Sequence, residues 1–337
     1  MSAPLRLRLD GDALAANWRR LAKMSGGAAC GAAVKADGYG LGARAVVERL
    51  VREGCRDFFV ATWDEAEALG AMPEGCALSV LHGVRDEDMA VAIRSIARPV
   101  LNSPEQAARW RPTGRPCDAM ADTGINRLGL QPEDAGLLAG LNLETLMSHL
   151  ACADEDSAMN ARQRDALAAL DVPAKRKSLA NSAGICLGEG FAFDLTRPGL
   201  ALYGGVPRAE AHGHVAQVAF PEAQVVQRRR VPAGESIGYG ATFIAQADIE
   251  VAILNIGYAD GYLRAFAGAG TAGRGRFPVL GRVSMDLIAV GIDAEPTLGE
   301  GDWVAIDYSL PGAARASGLS QYELLTVLGQ RFERVWS

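Results

Sequence analysis

Gly31 to Gly42 reads G-A-A-V-K-A-D-G-Y-G-L-G. Ala32, Ala33 and Val34 fit the end of a buried strand, and Lys35 stands where that strand stops. Gly38, Gly40 and Gly42 break the pattern, and Leu41 to Leu50 resumes with helical spacing. Strand, glycine-rich turn and helix make one β/α unit with a lysine at its mouth. A lysine is costly at the end of an apolar strand unless it has a function. The chain has 34 lysines and arginines, and only Lys23, Lys35, Lys175 and Lys177 are lysines. The other three lie in polar surroundings. Desolvation lowers an amine's pKa and makes it nucleophilic, as a Schiff-base lysine requires. The alternative is a lysine that snorkels out of a strand end.

Outward from this unit the pattern repeats. Short apolar runs at 29–34, 57–61, 77–82, 98–101, 117–121, 143–148, 177–180 and 193–196 alternate with helical spacing at Gly42 to Glu53, Asp64 to Ala71, Pro104 to Trp110 and Asp156 to Leu170. Eight such units predict an α/β fold, a (β/α)8 TIM-type barrel over residues 9–212. A doubly wound open sheet is the competing arrangement. Near residue 212 the pattern changes to strands with turn signals: Ala223 to Val231, Glu250 to Ile256, Arg276 to Leu280, Ile288 to Ile292 and Trp303 to Asp307. Residues 213–337 therefore read as a mostly β C-terminal domain, closed by a helix over Gln321 to Leu328. Alternating leucines and arginines at the start of the chain predict that residues 2–8 add a strand to it. Gly268 to Gly275 lacks the GK[ST] ending of a phosphate loop and reads as a hairpin.

A chain of 337 residues suggests two domains. Apolar content of 49% with 22% charged residues fits a globular enzyme, and a net charge of -6 gives no basic footprint for nucleic acid. No apolar run is long enough to cross a membrane, and the N-terminus lacks the apolar core of a signal peptide. The six cysteines are scattered, without a C-x-x-C pair. They read as small buried hydrophobes in a reducing cytosol, and no metal site is expected.

Chemistry in a barrel collects at the C-terminal ends of the strands. Those ends supply Lys35, the Asp122 to Arg127 loop, His149, Asn181 with Ser182, and Arg197. An amine, two guanidinium groups, an imidazole and a hydroxyl suit an anionic cofactor and an anionic substrate. Each also has a plain structural reading. Arg127 fits a surface arginine and His149 a satisfied core histidine. Asn181 and Ser182 fit a helix cap, where phosphate also binds well.

The stretch A-V-K-A-D-G-Y-G-L-G resembles the pyridoxal 5'-phosphate attachment motif of alanine racemases, and similar matches run along most of the chain. The resemblance implies that Lys35 carries the cofactor as a Schiff base and that Tyr39 gives its hydroxyl to the phosphate. A-D-T-G-I-N-R-L-G-L at Ala121 to Leu130 resembles D-T-G-M-x-R-x-G, which makes Arg127 a binder of the substrate carboxylate, in keeping with a bidentate fork. His149 then packs beside the cofactor ring, and Asn181 and Ser182 meet its phosphate. Arg197, in T-R-P-G-L-A-L-Y-G, donates to the pyridine nitrogen. Arginine keeps its proton, so the ring is a weaker electron sink than one facing a carboxylate. Gly199 and Leu200 offer backbone N–H groups to the phosphate. In the β domain, S-I-G-Y-G-A-T marks Tyr239 as the second catalytic base. G-Y-A-D-G places Tyr258 at the substrate entrance, G-R-V-S-M-D presents the Met285 N–H to the substrate, and Tyr322 gives a further phosphate contact. The plain structural reading of the tyrosines as a group, amphipathic interface residues, is weakened by four in the family's order.

Two departures stand out. Met120 occupies the position where some of these racemases carry a carbamylated lysine, leaving Arg127 to be held by Asn126 or by an anion. Ser284 replaces a common cysteine. The implied protein is a cytoplasmic homodimer with shared active sites, interconverting L- and D-alanine by two bases and supplying D-alanine for peptidoglycan. A free phenol titrates near pH ~10, so Tyr239 needs positive charge nearby, with Arg127 and His149 as candidate sources. A barrel-plus-β-domain decarboxylase, a non-catalytic carrier of the cofactor, and a racemase of serine are the alternatives.

Overall fold

The computed structural model describes residues 3–337. It divides into two units, Leu14–Ala216 and the N-terminal segment through Ala13 together with Gln217–Ser337.

In the first unit, seven parallel strands form a curled half-barrel in chain order: Ala32–Ala33, Asp57–Val60, Ala77–Val80, Arg98–Leu101, Cys117–Met120, Leu143–Met147 and Arg176–Ser178. The order never reverses, so the sheet has no switch point and the doubly wound alternative falls away. Strands covered on both faces need continuous apolar runs, and D-F-F-V and C-D-A-M are buried at every position. A further parallel pair joins Leu195–Thr196 to Ala29–Cys30. Only Gly31 separates the latter from Ala32–Ala33; a Cβ there would lie 2.7 Å from the Asp57 carbonyl, so no side chain fits.

The intervening helices carry their own start signals. Ser103 accepts the Gln106 N–H ahead of Pro104–Trp110, and Ser157 accepts the Met159 N–H ahead of Ala158–Ala169. At the starts of the strands lies a buried polar layer. Arg176 forks onto Asp57 (2.6 and 3.0 Å), and the Ser79 hydroxyl donates to the fully buried Asp118 (2.6 Å). Burial pushes the Asp118 carboxyl above its usual range.

The second unit is built on the long strand Ala219–Val231, whose residues alternate between buried and partly exposed over its first half. It pairs antiparallel with Leu5–Leu9, Ile249–Leu254 and Trp303–Ala305. The sheet continues through Ile288–Gly291, Phe277–Leu280 and Thr271–Ala272, and on its other side Leu5–Leu9 pairs parallel with Glu333–Trp336. Val231, Ile237, Ala245, Val251 and Leu280 form a buried cluster under it. Residue 2 of the expected N-terminal strand lies outside the described residues. Thr271–Ala272 and Phe277–Leu280 make the glycine-rich segment a hairpin.

Among the elements that escape the sequence pattern are the paired strands Ser236–Ile237 and Phe243–Ile244, the strands Thr271–Ala272 and Glu333–Trp336, and the helix Leu310–Ser317. All six cysteines are free, and three are buried. Among the described residues no helix is long and apolar enough to cross a membrane.

Candidate active site

The sheet continues one residue past Ala33, where the Val34 N–H donates to Phe59 O (2.8 Å). Lys35 follows, and the chain then turns left-handed: φ is 52° at Ala36, 52° at Asp37, 63° at Gly38 and 57° at Tyr39. Three of these residues carry a Cβ, each disfavoured there by roughly 1 kcal/mol. Side chains hold the turn. Asp37 accepts the Ala43 N–H (2.8 Å) at the start of the helix Ala43–Glu53, and Glu65 accepts the Ala36 N–H (2.7 Å). The Lys35 amine is partly buried and has no ion pair or hydrogen bond among the described residues. Burial lowers its pKa, Arg127 lowers it further, Glu65 opposes, and Arg197 adds a smaller lowering effect.

Behind the lysine, the Tyr39 ring stacks on Tyr203 with centroids 4.7 Å apart, and the Tyr203 hydroxyl donates to Ala33 O (2.8 Å). The Tyr39 hydroxyl lies against Gly199, where a Cβ would come within 2.2 Å of it; only glycine permits that approach. The buried Ser182 hydroxyl accepts the N–H groups of Gly199 (3.0 Å) and Ala201 (3.1 Å). With both lone pairs engaged, its own proton is the group left to offer an anion. The Gly199 N–H is therefore directed at Ser182, and the serine is the donor facing outward. Leu200, buried, opens the 3-10 turn Leu200–Tyr203. The Asn181 side chain accepts the Gly184 N–H (2.8 Å) as a helix cap.

Arg197 is buried. Its guanidinium donates to the Ser178 hydroxyl and to Ser148 O (2.7 Å). Burial pushes its pKa down to about 10, so it stays charged at neutral pH. His149 follows the strand Leu143–Met147. Burial first, then Arg197, Arg127 and Lys35, push its pKa down to about 3. The imidazole is thus neutral, and His149 is removed as a source of positive charge for Tyr239. Buried Gln163 ties the His149 carbonyl (2.9 Å) and the Ala151 N–H (2.8 Å) together.

The Arg127 loop is pinned by Asp122, which accepts the N–H groups of Gly124 (2.8 Å) and Asn126 (3.1 Å). Thr123 joins it to Ser148 (2.7 Å). Arg127 is exposed. Asn126 uses its backbone on Asp122, and among the described residues no hydrogen bond joins its side chain to Arg127, so it does not stand in for the carbamate. Met120 is buried and pairs in register with Met147.

In the β unit, Tyr239 is 70% exposed at the tip of the hairpin formed by Ser236–Ile237 and Phe243–Ile244, between Gly238 (φ 79°) and Gly240 (φ 72°). Tyr258 is partly buried under Arg264, and Met285 is exposed. Their loops are clamped together. The Tyr258 N–H donates to Ser284 O and the Ala259 N–H to Met285 O, both at 3.0 Å. Arg331 forks onto buried Asp260 (2.6 and 2.8 Å) and reaches Asp286 with its third nitrogen (2.7 Å). Tyr322 is exposed on the helix Gln321–Thr326.

One unit thus brings together Lys35, Tyr39, Arg127, His149, Ser182, Arg197 and Gly199, and the other carries Tyr239, Tyr258, Met285 and Tyr322. Sequence reasoning passed over Glu65, Gln163 and Arg331. Only Glu65 had a local signal, the T-W-D-E of a capping box at Thr62.

Residues 9–207 match the family model described as alanine racemase, N-terminal domain, and residues 218–336 match alanine racemase, C-terminal domain. A protein named alanine racemase from Acidiphilium cryptum is 40% identical, with 98% of each chain covered. One named alanine racemase, biosynthetic, from Agrobacterium fabrum is 38% identical over 98% of this chain and 93% of its own. Among solved structures, alanine racemase from Bartonella henselae with covalently bound pyridoxal phosphate superposes with a TM-score of 0.92 at 32% identity, covering both chains fully. With both halves matched in this way, the chain belongs to the alanine racemase family.

Proposed function

We infer that this protein is a pyridoxal 5'-phosphate-dependent alanine racemase, an isomerase that interconverts L- and D-alanine. The observation that carries this reading is the set of donors around one unpaired amine. Lys35 is positioned for covalent attachment, Tyr39 and Ser182 converge beside Gly199 as a cradle for a phosphate, and Arg197 is a buried cation set to meet a ring nitrogen. The residues present therefore fit the cofactor. Asn181 and Leu200 flank the cradle, and Tyr322 is assigned a further phosphate contact.

When bound, the cofactor supplies a conjugated electron-withdrawing ring that acidifies the substrate Cα–H. Arg127 binds the alanine carboxylate, assisted by the Met285 N–H, which has no other partner among the described residues. Racemisation needs a proton taken from one face of Cα and delivered to the other. Lys35 handles the proton of D-alanine and Tyr239 that of L-alanine. Neutral His149 packs beside the cofactor ring and moves no proton. Tyr258 guards the entrance. Arg197, held by a hydroxyl and a carbonyl, speaks against a decarboxylase, which would place a carboxylate at the ring nitrogen.

The parallel unit is read as a closed (β/α)8 barrel. Support comes from the Leu195–Thr196 pair with Ala29–Cys30 and from N–H donation by Asp194 to Lys177 O (3.0 Å) and by Arg197 to Ala180 O (2.8 Å). The domains are assigned as 9–212 and 213–337. The protein is proposed to be a cytoplasmic homodimer whose sites combine Lys35 with the partner subunit's Tyr239, supplying D-alanine to the cell wall. The exposure of Tyr239, Ile244, Met285 and Leu287 supports such a contact.

Purified protein incubated with L-alanine and the cofactor, then resolved by chiral chromatography, should yield equal amounts of the two enantiomers. No D-alanine would sink the reading, and faster turnover of L-serine would move it to another substrate.

A further inference from the structure

We propose that Glu65 is a positioning residue for Lys35: its carboxylate bridges the Ala36 and Ala61 N–H groups and so fixes the left-handed turn that aims the lysine. The inference rests on reading Lys35 as the attachment lysine.

The helix Trp63–Leu69 opens with a half-formed capping box. Thr62 accepts the Glu65 N–H (3.3 Å), as such a box requires. The Glu65 side chain does not return to the Thr62 N–H. One oxygen accepts from Ala61 (2.6 Å), the residue just past the strand Asp57–Val60, and the other from Ala36 (2.7 Å), the residue just past Lys35. One carboxylate thus ties the ends of two neighbouring strands.

Ala36 is exposed and left-handed. A residue with a Cβ persists in that region only when its surroundings over-determine it, and the Glu65 bond is the one its N–H makes among the described residues. The carboxylate also acts on the amine directly. Arg127 and Arg197 disfavour its charged form and Glu65 opposes them, whereas Asp37 faces Ala43 and His149 is uncharged.

The test uses apoprotein and pyridoxal 5'-phosphate. The neutral Lys35 amine attacks the aldehyde carbon, a C=N bond forms and water leaves; borohydride then fixes the adduct for peptide mass spectrometry. The rate of labelling is followed against pH in wild type, Glu65→Gln, Thr62→Ala and Lys35→Ala. Glutamine removes the charge and offers one acceptor oxygen to two N–H groups. Loss of one charge-assisted hydrogen bond corresponds to a rate roughly tenfold lower on the alkaline plateau. The pH of half-maximal rate should also move down, because the charge opposing the arginines is gone. Thr62→Ala weakens the same helix and should change neither quantity, which separates positioning from plain stability. Glu65→Gln labelling with the wild-type plateau and midpoint would overturn the proposal. Labelling of Lys35→Ala at another residue would instead overturn the reading of Lys35. Hydrogen exchange in the wild-type chain gives a check that needs no variant: the Ala36 amide should exchange at least roughly tenfold more slowly than an open loop amide. Exchange at the open-loop rate would also refute it.

Discussion

Replacing Arg331 by methionine removes the clamp between the Tyr258 and Met285 loops, and its cost can be worked from the contacts. Arg331 makes three charge-assisted hydrogen bonds, two to Asp260 and one to Asp286. Asp260 is 1% exposed, and without the arginine it keeps the Gly257 N–H (2.9 Å). Removing one partner of a buried ion pair costs ~3–5 kcal/mol. The Arg331 side chain is 51% exposed, so solvent screening reduces this. A loss of about 2–3 kcal/mol remains, which lowers the melting temperature by roughly 5–10 °C. Asp260→Asn alone should cost less, and the double variant should be more stable than the sum of the singles predicts by about 1 kcal/mol or more. Thermal unfolding followed by circular dichroism gives the three values. The loosened Met285 loop should raise KM for alanine several-fold more than it lowers kcat. A melting point within a degree of wild type, together with strict additivity, would refute the clamp.

Three further outcomes follow from the site. His149, with its pKa pushed down to about 3, should show no imidazole titration by NMR between pH 5 and 9. Its folded pKa lies below the unfolded value of ~6.5, so its contribution to stability is complete above that pH and is lost as pH falls toward 3; a titration near pH 6.5 would contradict the burial argument. Met120 cannot form a carbamate, so activity should be indifferent to bicarbonate, and loss on degassing that bicarbonate restores would count against this. Mixing Lys35→Ala and Tyr239→Phe proteins after dissociation should return about a quarter of the sites to full activity, because half the dimers are mixed and each has one intact site. No recovery with heterodimers present would refute the shared site.

The sequence was most legible where one force dominated. D-F-F-V and C-D-A-M are strands because burial on both faces demands it, and their limits differ from the expected ones by only a residue at one end. Two-residue strands such as Ser236–Ile237 are too short to show a period, and Leu310–Ser317 begins with L-P-G, which reads as a turn. The lysine was legible from its setting, an amine at the end of an apolar run. His149 was less so, because its neutrality comes first from burial and then from Arg197 and Arg127, all of which depend on parts of the chain that only folding brings around it. Glu65 was passed over, because its role as acceptor depends on Ala36, which chain folding brings beside it. Arg331 carried no signal at all: its partners Asp260 and Asp286 are distant, and G-Q-R-F gives no hint of them.

The placement of Leu5–Leu9 bears on how the chain reaches its fold. Leu9 pairs with Ala219 on one side and Trp336 on the other, so this strand is completed by residues more than two hundred positions further along the chain. At a synthesis rate of about 5–20 residues per second, its nearer partner emerges roughly ten to forty seconds later. Throughout that wait both edges are open to other chains. Arg6 and Arg8, alternating with its leucines, put charge on the strand, a known guard against edge-to-edge aggregation. Once folded, Arg6 turns to Glu222 (2.5 Å) and stacks over Trp303. The same side chains that keep the nascent strand apart then help seat it.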